Sequence, residues 1–385
     1  MLDKFISLGG GDEIGASSYY LNCGGYNFIF DAGMRYENKR RYPSFSELSK
    51  LENVDSVNDI DCIFLSHAHY DHNGGLPLLV SKFIDKKEIV CSEYTKKFTE
   101  IQLNILKKHR GIPKYSIYED ICVDRTLDML TSYPIETKID KKGYSFTLYK
   151  SGHIPGAVMT LLEVNGKKIL YTGDFSDRSY PLVEKYSLPD IKDLDLLILN
   201  GTSAFKKEDK WETTWGNGES RVRDLIKRIF IYNHINIEVS QVNNGVELAI
   251  LINNEIEKSD FKRMGTTIFV DEPIAQMLKI IENGENRKFE NIECFDESDN
   301  LKNYGIYITL KKSTRLESVS KIQLNYSLHE TYEGIKELIL KLKPKKTLIT
   351  HYQPKENKED ILIKELKENE YENCEYVVNE KKYEF

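Results

Sequence analysis

Leu65-Ser66-His67-Ala68-His69-Tyr70-Asp71-His72-Asn73-Gly74-Gly75 is the stretch that decides how this chain reads. Three histidines and an aspartate fall between positions 67 and 72, in a chain that holds 8 histidines altogether. The residues just before it, Ile60 to Leu65, are apolar enough to form a buried strand. Imidazole and carboxylate side chains in one place are the ligands that suit zinc or a similar divalent ion. On a loop leaving a strand, alternate residues converge on one point while their neighbours aim elsewhere, so two metals held close together become reasonable. A polar surface loop with Asp71 and Asn73 as helix caps does not account for three histidines.

Most of the other histidines repeat this placement. His153 stands in Ser151-Gly152-His153-Ile154-Pro155-Gly156-Ala157, after a strand ending at Lys150. His351 follows the apolar run Thr347–Thr350, and His329 follows a strand read over Ile322–Tyr326. Asp174, in Tyr171-Thr172-Gly173-Asp174-Phe175, also sits just past a strand. Strand ends are rigid places for ligands to gather. His109 and His234 do not fit the pattern and read as surface or packing residues.

Composition sets the outer limits. Forty per cent hydrophobic and thirty per cent charged residues describe an ordinary folded chain, and 385 residues suggest two lobes. With 54 Lys+Arg against 61 Asp+Glu the net charge is −7, which argues against a protein that grips nucleic acid by a general basic coat. No apolar run approaches the ~20 residues of a membrane span, so no membrane association is expected. The first residues do not read as a secretory peptide, and the six cysteines are scattered with no CxxC pair. A cytoplasmic protein with free thiols is the expectation.

Along the chain, short β-rich runs at Ser17–Leu21 and Asn27–Asp31 flank Gly24-Gly25, and Val158–Val164 and Lys167–Tyr171 flank Asn165-Gly166, both hairpin signals. Leu194–Leu199 reads as a buried strand. Beyond it strands alternate with helices: helices at Ser220–Tyr232, Gly245–Ile256 and from Pro273, and strands at Ile235–Val239, Thr266–Val270 and Gly305–Leu310. The last sixty residues return to strand, helix, strand, helix, with terminal strands at Tyr376–Val378 and Tyr383–Phe385. The predicted organisation is a core in two parts, 1–203 and 323–385, with an α/β insert at 204–322 between them.

With these motifs in place, the sequence resembles the metallo-β-lactamase superfamily, and within it the β-CASP nuclease branch that includes ribonuclease J and the endonuclease of messenger-RNA 3′-end processing. His67-Ala68-His69-Tyr70-Asp71-His72 matches the superfamily HxHxDH motif, Gly152-His153 the next metal histidine, and Gly173-Asp174 the bridging aspartate. Leu8-Gly9-Gly10-Gly11-Asp12-Glu13-Ile14-Gly15 and Phe28-Ile29-Phe30-Asp31-Ala32-Gly33 are also of the family type. In the insert, Val270-Asp271-Glu272-Pro273 is similar to the family's "VDSP" turn, and Asn244-Gly245-Val246-Glu247-Leu248 to its helix opening, without the usual Arg after Gly. Ser327-Leu328-His329-Glu330-Thr331-Tyr332 resembles motif B and Ile349-Thr350-His351 motif C.

The resemblance implies an αββα sandwich carrying an inserted α/β β-CASP domain, and a two-metal phosphodiesterase. His67, His69, His153 and Asp174 would hold one Zn2+ (or Mn2+), and Asp71, His72, Asp174 and His351 the other, with Asp174 as the bridge. The metals would generate hydroxide that attacks phosphorus in line. Asp71 would accept the proton of the attacking water, and His329 would act as general acid toward the leaving sugar oxygen. Ser327, His329 and Asn200 are the expected substrate contacts.

One position departs from the family. An acid is usual at motif A, where Leu199-Asn200-Gly201-Thr202 places Asn200. In the family that acid bonds the motif B histidine and favours its protonated form; a neutral amide can keep the hydrogen bond to His329 but not the charge stabilisation. Restoring the charge with Asn200→Asp is therefore expected to extend activity to higher pH, and Glu208 or Asp209 are possible substitutes for the missing acid.

The histidine at motif C favours single-stranded RNA as the partner. Lys311-Lys312-Ser313-Thr314-Arg315 and Arg221, Arg223, Lys227 and Arg228 are potential phosphate contacts or ordinary solvated faces. A single-stranded-DNA nuclease on the same scaffold and a catalytically weak RNA-binding partner subunit are the competing readings, and both internal and 5′-end cleavage stay open.

Overall fold

The computed structural model describes residues 3–35, 41–51, 57–108, 118–179, 182–207, 234–239, 242–258, 265–295, 305–310, 316, 320–322, 329–354 and 360–385. The chain divides into two compact units, Met1–Ser179 with Val183–Glu208 and Leu328–Phe385, and Tyr180–Leu182 with Asp209–Ser327. The junctions lie at 208/209 and 327/328, about five residues beyond those read from periodicity.

The first unit is built on two seven-stranded sheets. In spatial order one contains Lys382–Glu384, Lys4–Gly9, Ser18–Cys23, Tyr26–Phe30, Cys62–Phe64, Ile89–Cys91 and Leu130–Ser132. The other contains Cys374–Tyr376, Lys346–Thr350, Leu196–Asn200, Lys167–Tyr171, Val158–Val164, Tyr144–Lys150 and Lys138–Asp140. Both expected hairpins form: Cys23 pairs with Tyr26 across Gly24-Gly25, and Val164 with Lys167 across Asn165-Gly166. Gly24 and Gly25 both have positive φ (58° and 89°), which a two-residue turn matching the strand twist requires.

Period-two alternation explains the layering. Phe5, Tyr19, Phe28, Phe30 and Phe64 meet Phe146, Leu162, Tyr171, Ile198 and Leu348 between the sheets. The intervening residues face outward under helices: Ile6, Leu8, Tyr20, Ile29 and Ile63 under Leu76, Leu79 and Val80, and Leu197, Leu199 and Ile349 under Ile335, Leu338, Leu362 and Leu366. This is the αββα sandwich implied by the resemblance. The chain returns to it after the insert, because Lys346–Thr350 pairs in parallel with Leu196–Asn200, and Lys382–Glu384 closes the edge beside Lys4–Gly9.

The second unit carries a five-stranded, wholly parallel sheet in the order Ile292–Cys294, Thr267–Val270, Gly305–Thr309, His234–Glu238, Ser320–Ile322. Val242–Glu257 and Glu272–Glu285 are its described helices, the latter with Pro273 in its first turn, where the missing N–H costs nothing. The predicted helix at 220–232, with Arg221, Arg223, Lys227 and Arg228, lies outside the described residues, as do Lys311 to Arg315, Glu208, Asp209 and Ser327. The strand read over Ile322–Tyr326 begins earlier, at Ser320–Ile322, and 323–328 lie outside the described residues.

Among the described residues no helix is long and apolar enough to cross a membrane.

Candidate metal centre

Strand ends deliver the site. Cys62–Phe64 leads into His67, Lys167–Tyr171 into Asp174, and Lys346–Thr350 into His351. The histidine motif is not one continuous loop: His69 ends an extended segment and caps a helical turn, Tyr70–Asn73. The roughly 100° rotation per residue in that turn separates the aim of Asp71 and His72 from that of His67 and His69. Two close backbone approaches hold it in place. A Cβ on Gly33 would lie 1.7 Å from the Asp71 carbonyl, and one on Gly173 2.6 Å from Ser66 Cβ.

Two groups of buried donors result: His67, His69, His153 and Asp174, and Asp71, His72 and His351, each with its ligand atoms within 4.8 Å of one another. In the first, His69 Nδ1 lies 3.0 Å from His67 Nε2 and 3.2 Å from His153 Nε2. Asp174 Oδ2 lies 3.7 and 3.5 Å from those same two Nε2 atoms. A tetrahedral ion with ligands at about 2.0–2.1 Å separates its ligands by about 3.4 Å, so these edges fit one. Asp174 Oδ1 lies 3.4 Å from His72 Nε2 in the second group, where His351 Nε2 is 3.8 Å from Asp71 Oδ2. The two oxygens of Asp174 thus address different groups.

Among the described residues, the buried atoms Asp71 Oδ1, His72 Nε2, Asp174 Oδ2 and His351 Nε2 find no hydrogen-bond partner. Four such atoms converging in a dry site are costly unless something binds them. A divalent cation fits.

A second layer aims the rings. Asp31 accepts from His72 Nδ1 (2.7 Å), Ser66 Oγ (2.7 Å), the Ser66 backbone N–H (2.7 Å) and the Tyr171 hydroxyl (2.5 Å). Ser17 Oγ lies 2.7 Å from His351 Nδ1, and Ser66 Oγ 3.0 Å from His67 Nδ1. In each ring the occupied Nδ1 leaves Nε2 for a metal. Asp31 and His351 have positive φ (58° and 52°), strain of the sort that concentrates at functional sites. Ser17 and Ser66 carry no sequence signal beyond proximity. Asp31 does, as an acid ending a buried strand before Ala-Gly, yet the sequence alone gives it no role.

Burial holds His67, His69 and His351 well toward the neutral imidazole that metals take. In His72 burial has the same sense, but Asp174 and Asp31 outweigh it and raise the pKa. Asp174 is held below the usual carboxylate range: burial opposes its charge, and His72, His329 and His351 overcome that opposition.

His329 Nδ1 lies 3.3 Å from Asp174 Oδ2, and its side chain is 26 % exposed. Burial, opposed by Asp174 and reinforced by His153, His351 and Lys206, lowers it to about 3. Asn200 does not partner it. The amide is buried, donates from Nδ2 to Asp174 Oδ1 (2.5 Å) and accepts the Thr202 backbone N–H at Oδ1 (3.0 Å). The expected Asn200–His329 bond is thus replaced by a bond to the shared aspartate, because the strand ending at Asn200 lies beside the one leading to Asp174. His234 lies in the second unit, its ring 6.0 Å from that of Tyr307, and His109 is outside the described residues.

Residues 11–179 match the family described as the metallo-beta-lactamase superfamily. That stretch is similar to a metallo-β-lactamase domain. It is 30% identical over 205 residues to "Cleavage and polyadenylation specificity factor subunit 3" of Dictyostelium discoideum, covering 52% of this chain and 26% of that protein. It is 26% identical over 344 residues to "Probable RNase MJ4" of Methanocaldococcus jannaschii, covering 86% and 73%. "Endoribonuclease YSH1" of Candida glabrata is 28% identical over 211 residues, covering 52% and 26%. The chain thus spans about a quarter of the length of the first of these relatives. A crystal structure from Enterococcus faecalis, titled as a protein of unknown function, superposes with a TM-score of 0.64 at 15% identity over 100% of both chains, a likeness of fold. The resemblance to the β-CASP branch read from the motifs is borne out by these relatives.

Proposed function

We propose that this protein is a two-metal phosphodiesterase that cleaves single-stranded RNA. The observation that carries the reading is Asp174, whose two carboxylate oxygens face separate groups of buried, unsatisfied ligands. His67, His69, His153 and Asp174 would hold one Zn2+ or Mn2+, and Asp71, His72, Asp174 and His351 the other. Bound there, two divalent cations neutralise charge at a phosphodiester and acidify water.

The chain's own residues supply the rest. Asp71, with Oδ1 unpartnered, accepts the proton of the attacking water. His329 gives a proton to the leaving oxygen. Its surroundings disfavour the imidazolium, so the negative charge of the phosphate is what would restore it when substrate binds. RNA is favoured over DNA by His351 at motif C and by the ribonuclease names of the relatives. Six free cysteines suit a reducing cytoplasm.

Purified protein with Zn2+ or Mn2+ should cut a 5′-labelled single-stranded RNA, and Asp174→Ala should not. Preferential cutting of the matched DNA would favour the DNA-acting reading. RNA binding without cutting, by metal-loaded protein, would favour a silent partner subunit. The label also distinguishes internal cuts from release of 5′ nucleotides.

A further inference from the structure

Glu330 follows His329 directly and is 3 % exposed. Its carboxylate is shared between two loops. Oε2 accepts the backbone N–H of Asp177 (2.6 Å), three residues after Asp174. Oε1 accepts the backbone N–H (2.7 Å) and hydroxyl (3.1 Å) of Thr331. Thr331 in turn caps the helix Tyr332–Leu342 by accepting the Gly334 N–H. The fit is tight enough that a Cβ on Gly334 would lie 2.2 Å from Glu330 Oε1.

We propose that Glu330 is a positioning residue for the acid step: its carboxylate ties the loop after Asp174 to the loop carrying His329, and so fixes His329 against Asp174. The inference rests on the acid role read for His329 above. Few other side chains could make this link. It takes an acceptor with two oxygens, because one oxygen serves each loop, and backbone amides at 2.6 and 2.7 Å are the short bonds expected of an ionised acceptor. The ionised form is costly here. Burial, and then the charge of Asp177, push the carboxyl up to about 7, against the pull of the two amides. A buried acid that costs folding free energy above neutral pH yet bridges two site loops is placed for geometry more than for stability.

The test uses the full chain and four forms besides wild type: Glu330→Ala, Glu330→Gln, His329→Ala, and His329→Ala with Glu330→Ala. Turnover and KM on 5′-labelled single-stranded RNA are measured with metal content and Tm at pH 8. Glu330→Ala should lower kcat about 10- to 100-fold, the cost of a misplaced group, with KM within about twofold and two metals per chain retained. Glu330→Gln keeps one of the two acceptors, so its kcat should lie between, while Tm at pH 8 does not fall. In the His329→Ala background, Glu330→Ala should do nothing further to kcat, because its effect acts through the missing ring. An equal loss in both backgrounds would overturn the proposal and leave the acid role of His329 standing. Loss of metal and Tm in proportion to kcat, in Glu330→Gln as well, would overturn it in favour of a purely structural role. Full turnover in His329→Ala would remove the acid reading itself, and this inference with it.

Discussion

Asn200→Asp changes one atom at the most charge-sensitive point of the site. In the structure the Asn200 amide donates to Asp174 Oδ1 at 2.5 Å. The substitution replaces that donor by a carboxylate oxygen, so two acids would stand in contact with no proton between them. The Asn200 Oδ1 bond from the Thr202 N–H keeps the side chain from turning away freely. Two like charges about 4 Å apart repel by about 4 kcal/mol at an effective dielectric near 20, so one of the pair should take up a proton near neutral pH. The outcome that weakens the bridge is a proton on Asp174, since a proton on the new acid would be donated to Asp174 Oδ1 as the Asn200 amide N–H is now. A 10- to 100-fold loss of metal affinity is expected, the usual cost of disturbing a group that supports a ligand. Competition against a fluorescent chelator measures it directly. Sequence reasoning alone expects the opposite, a gain at high pH through His329. Unchanged metal affinity together with activity extended to higher pH would show that Asn200 serves His329, and would refute the geometric argument.

Asp31→Asn should lower metal affinity by about 10- to 100-fold, because the substitution turns an acceptor of four bonds into a partial donor and frees the His72 ring; metal analysis after dialysis would show it. Ser17→Ala leaves His351 Nδ1 without its partner and should weaken one metal more than the other, visible as two separated steps in a zinc titration. In the second unit, Glu247 is fully buried, and burial, only partly offset by Arg287 and the backbone N–H of Leu182, raises it to about 8. A raised carboxyl pKa means the folded state holds the proton longer, so this group's contribution to stability falls as pH rises from about 4.5 to about 8. Glu247→Gln should remove that decline in thermal melts of the full chain; a decline equally steep in the variant would assign it elsewhere.

What the sequence made legible follows from how each signal is written. The hairpins at Gly24-Gly25 and Asn165-Gly166 were readable because turn chemistry is local. The candidate ligands His67, His153 and His351 are readable because they follow strand ends, where the chain leaves a sheet. The helical turn Tyr70–Asn73 was not, since four residues carry no periodicity. The motifs pair Asn200 with His329, whereas its amide bonds Asp174, because that bond depends on the parallel pairing of Leu196–Asn200 with Lys167–Tyr171, a long-range fact. Asp31, Ser17 and Glu330 act through hydrogen bonds spanning 41, 334 and 153 positions, which no local pattern records.

Metal stoichiometry tests the central claim most directly. Metal-free protein titrated with Zn2+ and followed by calorimetry and elemental analysis should bind two ions per chain, and Asp174→Ala should lose or sharply weaken both, since one oxygen of Asp174 faces each ligand group. Wild-type protein that saturates at one ion, or an Asp174→Ala variant that still binds two with native affinity, would contradict the shared two-metal centre on which the proposed reaction depends.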